Sequence, residues 1–365
     1  MISIAGTDKK IGGDDVFIVA EIGKNFIDKP EAESVDVYIE KAKKLIDAAA
    51  DSGVDAVKFQ THEVEDEVAD IPFESAHFQG AKRFDWVKRN TEATPSRFWR
   101  EIKQYAEKKD LVFFSTPMSR SAAQKLMKVG VPLWKIGSGD ILDFILLDFI
   151  VQTKKPVIIS TGMVSKEELR RVVTFLQEKN IPTIILYAVS KYPCPPNDFN
   201  LASLDYLRET YPEAVIGFSD HSIEGDAPSL TAVGKGAKII EKHFSFSRGL
   251  WGADHASSLT PPEMERLVKA IRGRTYEGIN KSEFQGLKEK EFEGARNQFR
   301  SYFHKSLVAA GNIKKGEKIT KEDVYALRPQ SLLGGLPSER FYDIVGKIAK
   351  RNIVKNQSLS EKDFG

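Results

Sequence analysis

Cysteine is nearly absent: Cys194 stands alone among 365 residues. An internal disulfide and a thiolate metal cluster are excluded, and such usage points to a reducing compartment. Excess charge of either sign is missing too, since 54 lysines and arginines face 52 aspartates and glutamates. No global basic field argues for nucleic acid or an anionic membrane surface, so any anionic ligand must be met by local charges. Long apolar runs are lacking, which predicts no bilayer span, and the start Met1-Ile-Ser-Ile-Ala-Gly-Thr has no signal-peptide core. These absences together predict a cytoplasmic protein. No Gly-x-Gly-x-x-Gly follows the first strand-like run, which weakens a dinucleotide-binding reading.

What is present is alternation. Apolar, β-branched runs at Val16 to Glu21, Ala56 to Gln60, Leu111 to Thr116, Leu133 to Ile136, Val157 to Ser160, Thr183 to Val189, Ala214 to Ser219 and Lys238 to Phe244 read as strands. Amphipathic stretches such as Ser34 to Ala50, Ser96 to Lys108, Lys166 to Glu178 and Pro261 to Ile271 read as helices between them. Eight such units in about 250 residues predict an α/β fold, a closed (β/α)8 TIM barrel over residues 1–275, with a doubly wound open sheet as the alternative. The connection from Gln60 to Pro95 is long for a βα loop and reads as a lid. Residues 276–300 read as a linker, and residues 301–365 as a small β-rich domain. That tail contains an echo: Asn312-Ile313, Ile319-Thr320 and Asp323-Val324 recur forty residues on as Asn352-Ile353, Leu359-Ser360 and Asp363-Phe364. So small a domain gains from docking on a partner surface.

A barrel demands that chemistry sit at the carboxyl ends of its strands. Read in order, those ends carry Glu21, Lys58 with Gln60, Thr116, Lys135 with Ser138, Ser160, Ser190 with Tyr192, Ser219 with His221, and Glu241 with His243. His221 and His243 end successive strands, so both imidazoles reach one rim and form the candidate metal pair. Two histidines without cysteine leave positions open for water and substrate, which suits Mn²⁺, Mg²⁺ or Zn²⁺ as a Lewis acid, with Glu21 able to add an oxygen. Lys58 and Lys135 sit beside apolar neighbours and fit either a doubly anionic ligand or a Schiff base. The runs Ile136-Gly-Ser-Gly-Asp140 and Ser160-Thr-Gly-Met163 can cradle phosphate or simply turn the chain. His62, His77 and His304 read as ordinary satisfied histidines, and Asp254-His255 as a loop pair that keeps a substrate role open.

The motifs Ala20-Glu-Ile-Gly-x-Asn25, Val57-Lys-Phe-Gln60, Ser115-Thr-Pro117, Lys135-Ile-Gly-Ser-Gly-Asp140, Ser160-Thr-Gly-Met163, Tyr192-Pro193, Gly217-Phe-Ser-Asp-His221, Glu241-Lys-His-Phe244 and Gly252-Ala-Asp-His255 occur in register. Together they resemble the sialic acid (N-acetylneuraminate) synthase family, whose members condense phosphoenolpyruvate with an N-acyl-amino sugar to make nonulosonic acids. The tail, with Ile313-Lys-Lys-Gly-Glu317 and Val345-Gly-Lys347, resembles the antifreeze-like (SAF) domain that ends these enzymes. The resemblance implies a divalent ion, Mn²⁺ or Mg²⁺, on His221 and His243. It implies a phosphoenolpyruvate grip from Lys58, Thr116, Lys135, Ser138, Ser160, Ser190 and Ser219, and Glu21 acting on water. Gln60, Asp140, Tyr192, Asp254 and Arg328 would hold the sugar, with Arg328 arriving from the partner's tail in a domain-swapped homodimer. Phe26, Asp140, Ser190 and Ala253 depart from the usual family pattern. The alternatives are a related phosphoenolpyruvate-dependent 3-deoxy-ulosonate synthase, a Schiff-base aldolase using Lys58, Lys135 or Lys242, and a non-catalytic carbohydrate-binding barrel.

Overall fold

Eight strands run parallel in chain order: β1 (Phe17–Gly23), β2 (Ala56–Thr61), β3 (Val112–Pro117), β4 (Trp134–Ile136), β5 (Val157–Ser160), β6 (Thr183–Ala188), β7 (Val215–Asp220) and β8 (Ile239–His243). The computed structural model that shows this describes residues 1–75, 78–195, 198–223, 225–277, 279, 282–286 and 297–365. Hydrogen-bonded ladders link β3-β2-β1-β8-β7-β6-β5-β4, and β3 lies against β4 without a ladder, so the barrel is nearly closed. Most of the expected linker 276–300 falls outside the described residues, as does His77.

The period of two in each strand decides what faces the barrel axis. Phe17, Val19, Ala56, Val112, Phe114, Leu133, Ile158, Ile184, Leu186 and Ile239 form one buried apolar cluster, joined by Ile4 and Ile11. Those last two come from an antiparallel N-terminal hairpin, Ile2–Ser3 against Lys10–Ile11, which plugs the lower end. Two residues further along the same faces stand Glu21, Lys58, Thr116, Lys135, Ser160 and Glu241, all buried. The lower half of the barrel is thus oil and the upper half is charge. Odd and even positions separate cleanly, because Ile18, Ala20, Val57, Phe113 and Ile240 point outward into the larger core under the helices.

The helices follow local rules. Lys166–Glu178 starts at Ser165 with a complete capping box to Glu168, and buries Leu169, Val172, Val173 and Leu176 on one face. Gly217 is small because its Cβ would sit 2.3 Å from Ile239 Cγ2, where β7 and β8 press together. The departure at Phe26 has a packing reason, since its ring lies 4.9 Å from Phe98 and 6.1 Å from Tyr38 in an aromatic cluster.

The long connection after β2 holds a 3₁₀ turn at Val64–Asp66, a short hairpin of Glu74–Ser75 with Phe78–Lys82, and a helix at Arg83–Ala93. The tail docks on this same chain's barrel. Val68 bridges Arg328, with Arg328 N–H donating to Glu67 O at 3.0 Å and Ala69 N–H to Arg328 O at 3.0 Å. Lys305 adds ion pairs of 2.8 Å to both Asp140 and Asp143.

Within the tail, β9 (Ser306–Ala309) pairs antiparallel with β10 (Val324–Leu327). The sequence echo becomes a pseudo-twofold contact. Ile313 and Ile353 exchange backbone hydrogen bonds of 2.9 and 2.8 Å, Asn352 Oδ1 accepts from Lys315 N–H, and Asn312 Oδ1 from Lys355 N–H. Thr320 and Ser360 are each capped by the aspartate three residues on, Asp323 and Asp363.

Candidate active site

The upper end of the barrel opens into a pocket of about 120 Å³. Thirteen of the fifteen candidate residues line it: Glu21, Lys58, Gln60, Lys135, Ser138, Asp140, Ser160, Tyr192, Ser219, His221, His243, Asp254 and Arg328. Thr116 and Ser190 stand one layer back. Thr116 Oγ1 accepts from Lys58 Nζ at 3.3 Å, and the Ser190 hydroxyl faces the turn at Gly162, where an added Cβ would lie 2.3 Å from it. Both hydroxyls thus stand beside groups that do line the pocket, Lys58 and the turn at Gly162.

The floor is a chain of buried charges. Glu21 Oε2 lies 2.7 Å from Lys58 Nζ, and Lys58 lies 3.5 Å from Glu241 Oε1. Glu241 in turn accepts both 2.7 and 2.8 Å hydrogen bonds from Lys135 Nζ. Burial opposes the charge on Glu241, yet Lys135 and Lys58 hold its carboxyl down at about 2. Burial lowers Lys135 to about 8 against the pull of Glu241. Glu21 goes the other way: burial raises it above the ordinary carboxylate value despite Lys58. Two carboxyls in one pocket are thus pushed apart, one kept as an anion and one made more basic.

The imidazoles sit above this floor, ring centroids 5.5 Å apart. His221 lies one residue past the end of β7 and His243 closes β8. Burial takes His221 down to about 3, with His243 beside it adding to the effect, and burial takes His243 down to about 4. Both are neutral at pH 7 and can offer a lone pair. His221 Nδ1–H donates to Val189 O at 2.7 Å, which leaves the lone pair of Nε2, 3.3 Å from Ser219 Oγ, on the other side of the ring, while the buried Nδ1 of His243 has no hydrogen-bond partner among the described residues. A divalent ion fits this pair, although no group of three histidine, cysteine, aspartate or glutamate side chains gathers as a ligand set among the described residues.

Behind the pair lies a strut. Lys242 and Asp220, each next to a histidine in sequence, point outward from the barrel and form a 2.9 Å ion pair of zero exposure. Lys242 Nζ also donates to Ser222 O at 2.8 Å, and Asp220 Oδ2 accepts from Ser229 Oγ at 2.7 Å. Lys242 therefore points away from the pocket, which removes it as a Schiff-base candidate.

The rim is built from loops. Ser138 Oγ accepts from Gly162 N–H at 3.0 Å, tying the two glycine-serine turns together, and the buried Ser160 hydroxyl has no hydrogen-bond partner among the described residues. Asp140 meets Arg328 and Lys305 from the tail. Gln60 Nε2 donates to Glu21 Oε1 at 2.8 Å. Tyr192 lies with its ring 4.4 Å from His221. Lys24, Arg83, Met118 and Phe303 also line the pocket and were not picked out from the sequence, while Glu241, read there as a strand-end group without a role, lines it as well. Arg83 and Phe303 had no signal, because they begin and end short helices outside the barrel strands. His62 Nδ1 pairs with Glu67 at 2.8 Å and His255 Nδ1 with Ser245 Oγ at 2.6 Å, outside the pocket.

A parallel eight-stranded barrel with lysines, carboxylates and paired imidazoles at its strand tips defines an enzyme of the barrel class. Comparison supplies the family: residues 45–279 match the NeuB family and residues 304–365 the SAF domain, so the chain belongs to the NeuB family. It is 32% identical to the spore coat polysaccharide biosynthesis protein SpsE of Bacillus subtilis, over 98% of this chain and 96% of that one. The crystal structure of SpsE superimposes with a TM-score of 0.79, covering 100% of this chain and 99% of the other at 29% identity. The N,N'-diacetyllegionaminic acid synthase of Campylobacter jejuni is 31% identical, over 88% of this chain and 94% of that protein. Human N-acetylneuraminate-9-phosphate synthase is 30% identical, over 95% and 92%.

Proposed function

We propose that this enzyme condenses phosphoenolpyruvate with an N-acyl-amino sugar and water, giving a nonulosonic acid and phosphate. The observation that carries the reading is the pair Lys58 and Lys135, buried at strand tips in the same pocket as His221 and His243. Two ammonium groups held by carboxylates on a floor suit a ligand with both phosphate and carboxylate, and the Ser138, Ser160 and Ser219 hydroxyls add donors. Asp140, Tyr192, Gln60, Asp254 and Arg328 line the same pocket and would hold the sugar. His221 and His243 are the residues to hold a divalent ion, Mn²⁺ or Mg²⁺, whose chemistry when bound is Lewis-acid polarisation of an aldehyde.

Carbon 3 of the enol phosphate attacks the aldehyde carbon, whose oxygen becomes an alkoxide and then an alcohol with a proton from solvent, and carbon 2 becomes cationic. Glu21, with its raised affinity for protons, takes a proton as water adds to carbon 2. The anionic neighbour Glu241 stabilises the positive charge that develops there. The tetrahedral intermediate then loses phosphate by carbon–oxygen cleavage, leaving the keto acid. The same reading places the enzyme in the cytoplasm, where phosphoenolpyruvate is made. It includes a homodimer in which the contacts Arg328 makes within this chain are exchanged between partners, and sedimentation equilibrium tests the dimer.

The test is phosphate release from phosphoenolpyruvate against 2-acetamido-2-deoxymannose, its 6-phosphate, and 6-deoxy diacetamido sugars. Release dependent on one of these supports the proposal, and release with none of them overturns it. Borohydride trapping of a pyruvate adduct on Lys58 or Lys135 would contradict it in favour of an aldolase.

A further inference from the structure

Lys24 stands on the wall of the main pocket, and the proposed condensation gives it no task. It fills the open place in the motif Ala20-Glu-Ile-Gly-x-Asn25. The backbone just before it is irregular: β1 shifts register against β2 between Glu21 and Gly23, and Gly23 sits at φ +56°. A Cβ on Gly23 would lie 3.1 Å from Gln60 Nε2 and 3.2 Å from both Asp254 Oδ2 and Glu21 Oε1, so these side chains converge over the glycine. Any side chain there would crowd all of them.

Lys24 completes the group. Its ammonium donates to Gln60 Oε1, lies 3.6 Å from Asp254 Oδ2 and stands 4.7 Å from the Trp86 ring centre. Gln60 Nε2 in turn donates to Glu21 Oε1 at 2.8 Å and comes within 3.5 Å of Asp254 Oδ2. The Gln60 amide thus has a cationic donor at its oxygen and carboxylates at its nitrogen. Turned over, it would set its carbonyl against Glu21 and its NH₂ against an ammonium, and both hydrogen bonds would be lost. Shape alone does not choose between the two orientations of an amide, so the charges on either side choose here.

We infer that Lys24 is a positioning residue: it locks the Gln60 amide in the orientation that keeps Glu21 hydrogen-bonded and leaves the second lone pair of Gln60 Oε1 to accept from a hydroxyl of the acceptor sugar. The inference rests on the proposed condensation and deepens it. Lys24 acts through Gln60, because the donors of its ammonium are matched by Gln60, Asp254 and the Trp86 ring. Its effect therefore falls on the acceptor half of the pocket, away from the grip on phosphoenolpyruvate.

Steady-state kinetics with an accepted amino sugar provide the test. Lys24→Met should raise the acceptor KM by about tenfold while the phosphoenolpyruvate KM stays within about twofold. Lys24→Arg keeps a donor, so its acceptor KM should stay within about threefold of the wild type. The decisive arm is a double-mutant cycle: on a Gln60→Ala background, Lys24→Met should add less than about twofold, because the amide it orients is gone. Lys24→Ala repeats the cycle if Lys24→Met does not fold. An unchanged acceptor KM, an equal rise for both substrates, or full additivity with Gln60→Ala overturns the inference. Any of these in an enzyme that still releases phosphate with an amino sugar strikes Lys24 alone and keeps the condensation. A wild type that releases phosphate with no acceptor overturns both.

Discussion

The floor of the pocket and its rim are made by different means. The floor comes from strands, where Glu21, Lys58, Lys135 and Glu241 occupy the next inward position above apolar Val19, Ala56, Leu133 and Ile239. Hydrogen-bonded ladders fix that register to a residue, because slipping by one would turn every charge into the outer core. The rim comes from loops and the tail, where Arg83, Tyr192, Asp254 and Arg328 meet from segments far apart in the chain. The lesson is that strand tips supply the groups common to a chemistry, while loops and the tail shape what is admitted.

The sharpest way to break this comparison is to remove one of the two imidazoles proposed to hold a metal. His221→Ala and His243→Ala should each lower metal-dependent phosphate release by at least about a thousandfold while the thermal transition stays cooperative. Retained turnover in either variant would separate the histidines from the chemistry. Next comes the strut behind them. Lys242→Met leaves Asp220 buried and unpaired, so unfolding free energy in urea should fall by about 3–5 kcal/mol. A change below about 1 kcal/mol would show that the outward face tolerates the charge.

At the rim the effects should be smaller and selective. Arg328→Ala removes the guanidinium that meets Asp140, and the acceptor KM should rise by about ten- to hundredfold while the phosphoenolpyruvate KM moves little. Equal loss for both substrates would erase the distinction between rim and floor. A further effect, shared by floor and surroundings, is on pH. His62, His243 and His304 are held at about 4 and His221 at about 3 by burial, below the ordinary imidazole value of 6.5. Between pH 6.5 and about 4 the unfolded chain binds protons that the fold refuses, so stability should be complete above 6.5 and fall as the pH drops through that window. Chemical denaturation at pH 7.5 and pH 5.5 checks the sign.

How far the sequence was legible follows the same division. Lys166–Glu178 and Ser96–Lys108 occupy the expected helical residues, and Val157–Ser160 the expected strand, because amphipathic period and caps are local. The inward charges were legible once eight strands were placed. The elements inside the Gln60 to Pro95 connection were not, since Arg83 and Trp86 are positioned by tertiary contact rather than by period. The N-terminal hairpin was missed for a related reason: strands of two residues carry too little pattern. Arg328 was legible as a tail residue that reaches a barrel pocket, and in the single chain described it lines that pocket.

The central claim is that water adds at carbon 2 and phosphate leaves with its bridging oxygen. Turnover in ¹⁸O-labelled water with an accepted amino sugar tests it directly. The account predicts unlabelled phosphate and the label at carbon 2 of the keto acid. Labelled phosphate, the mark of water attacking phosphorus, would contradict it.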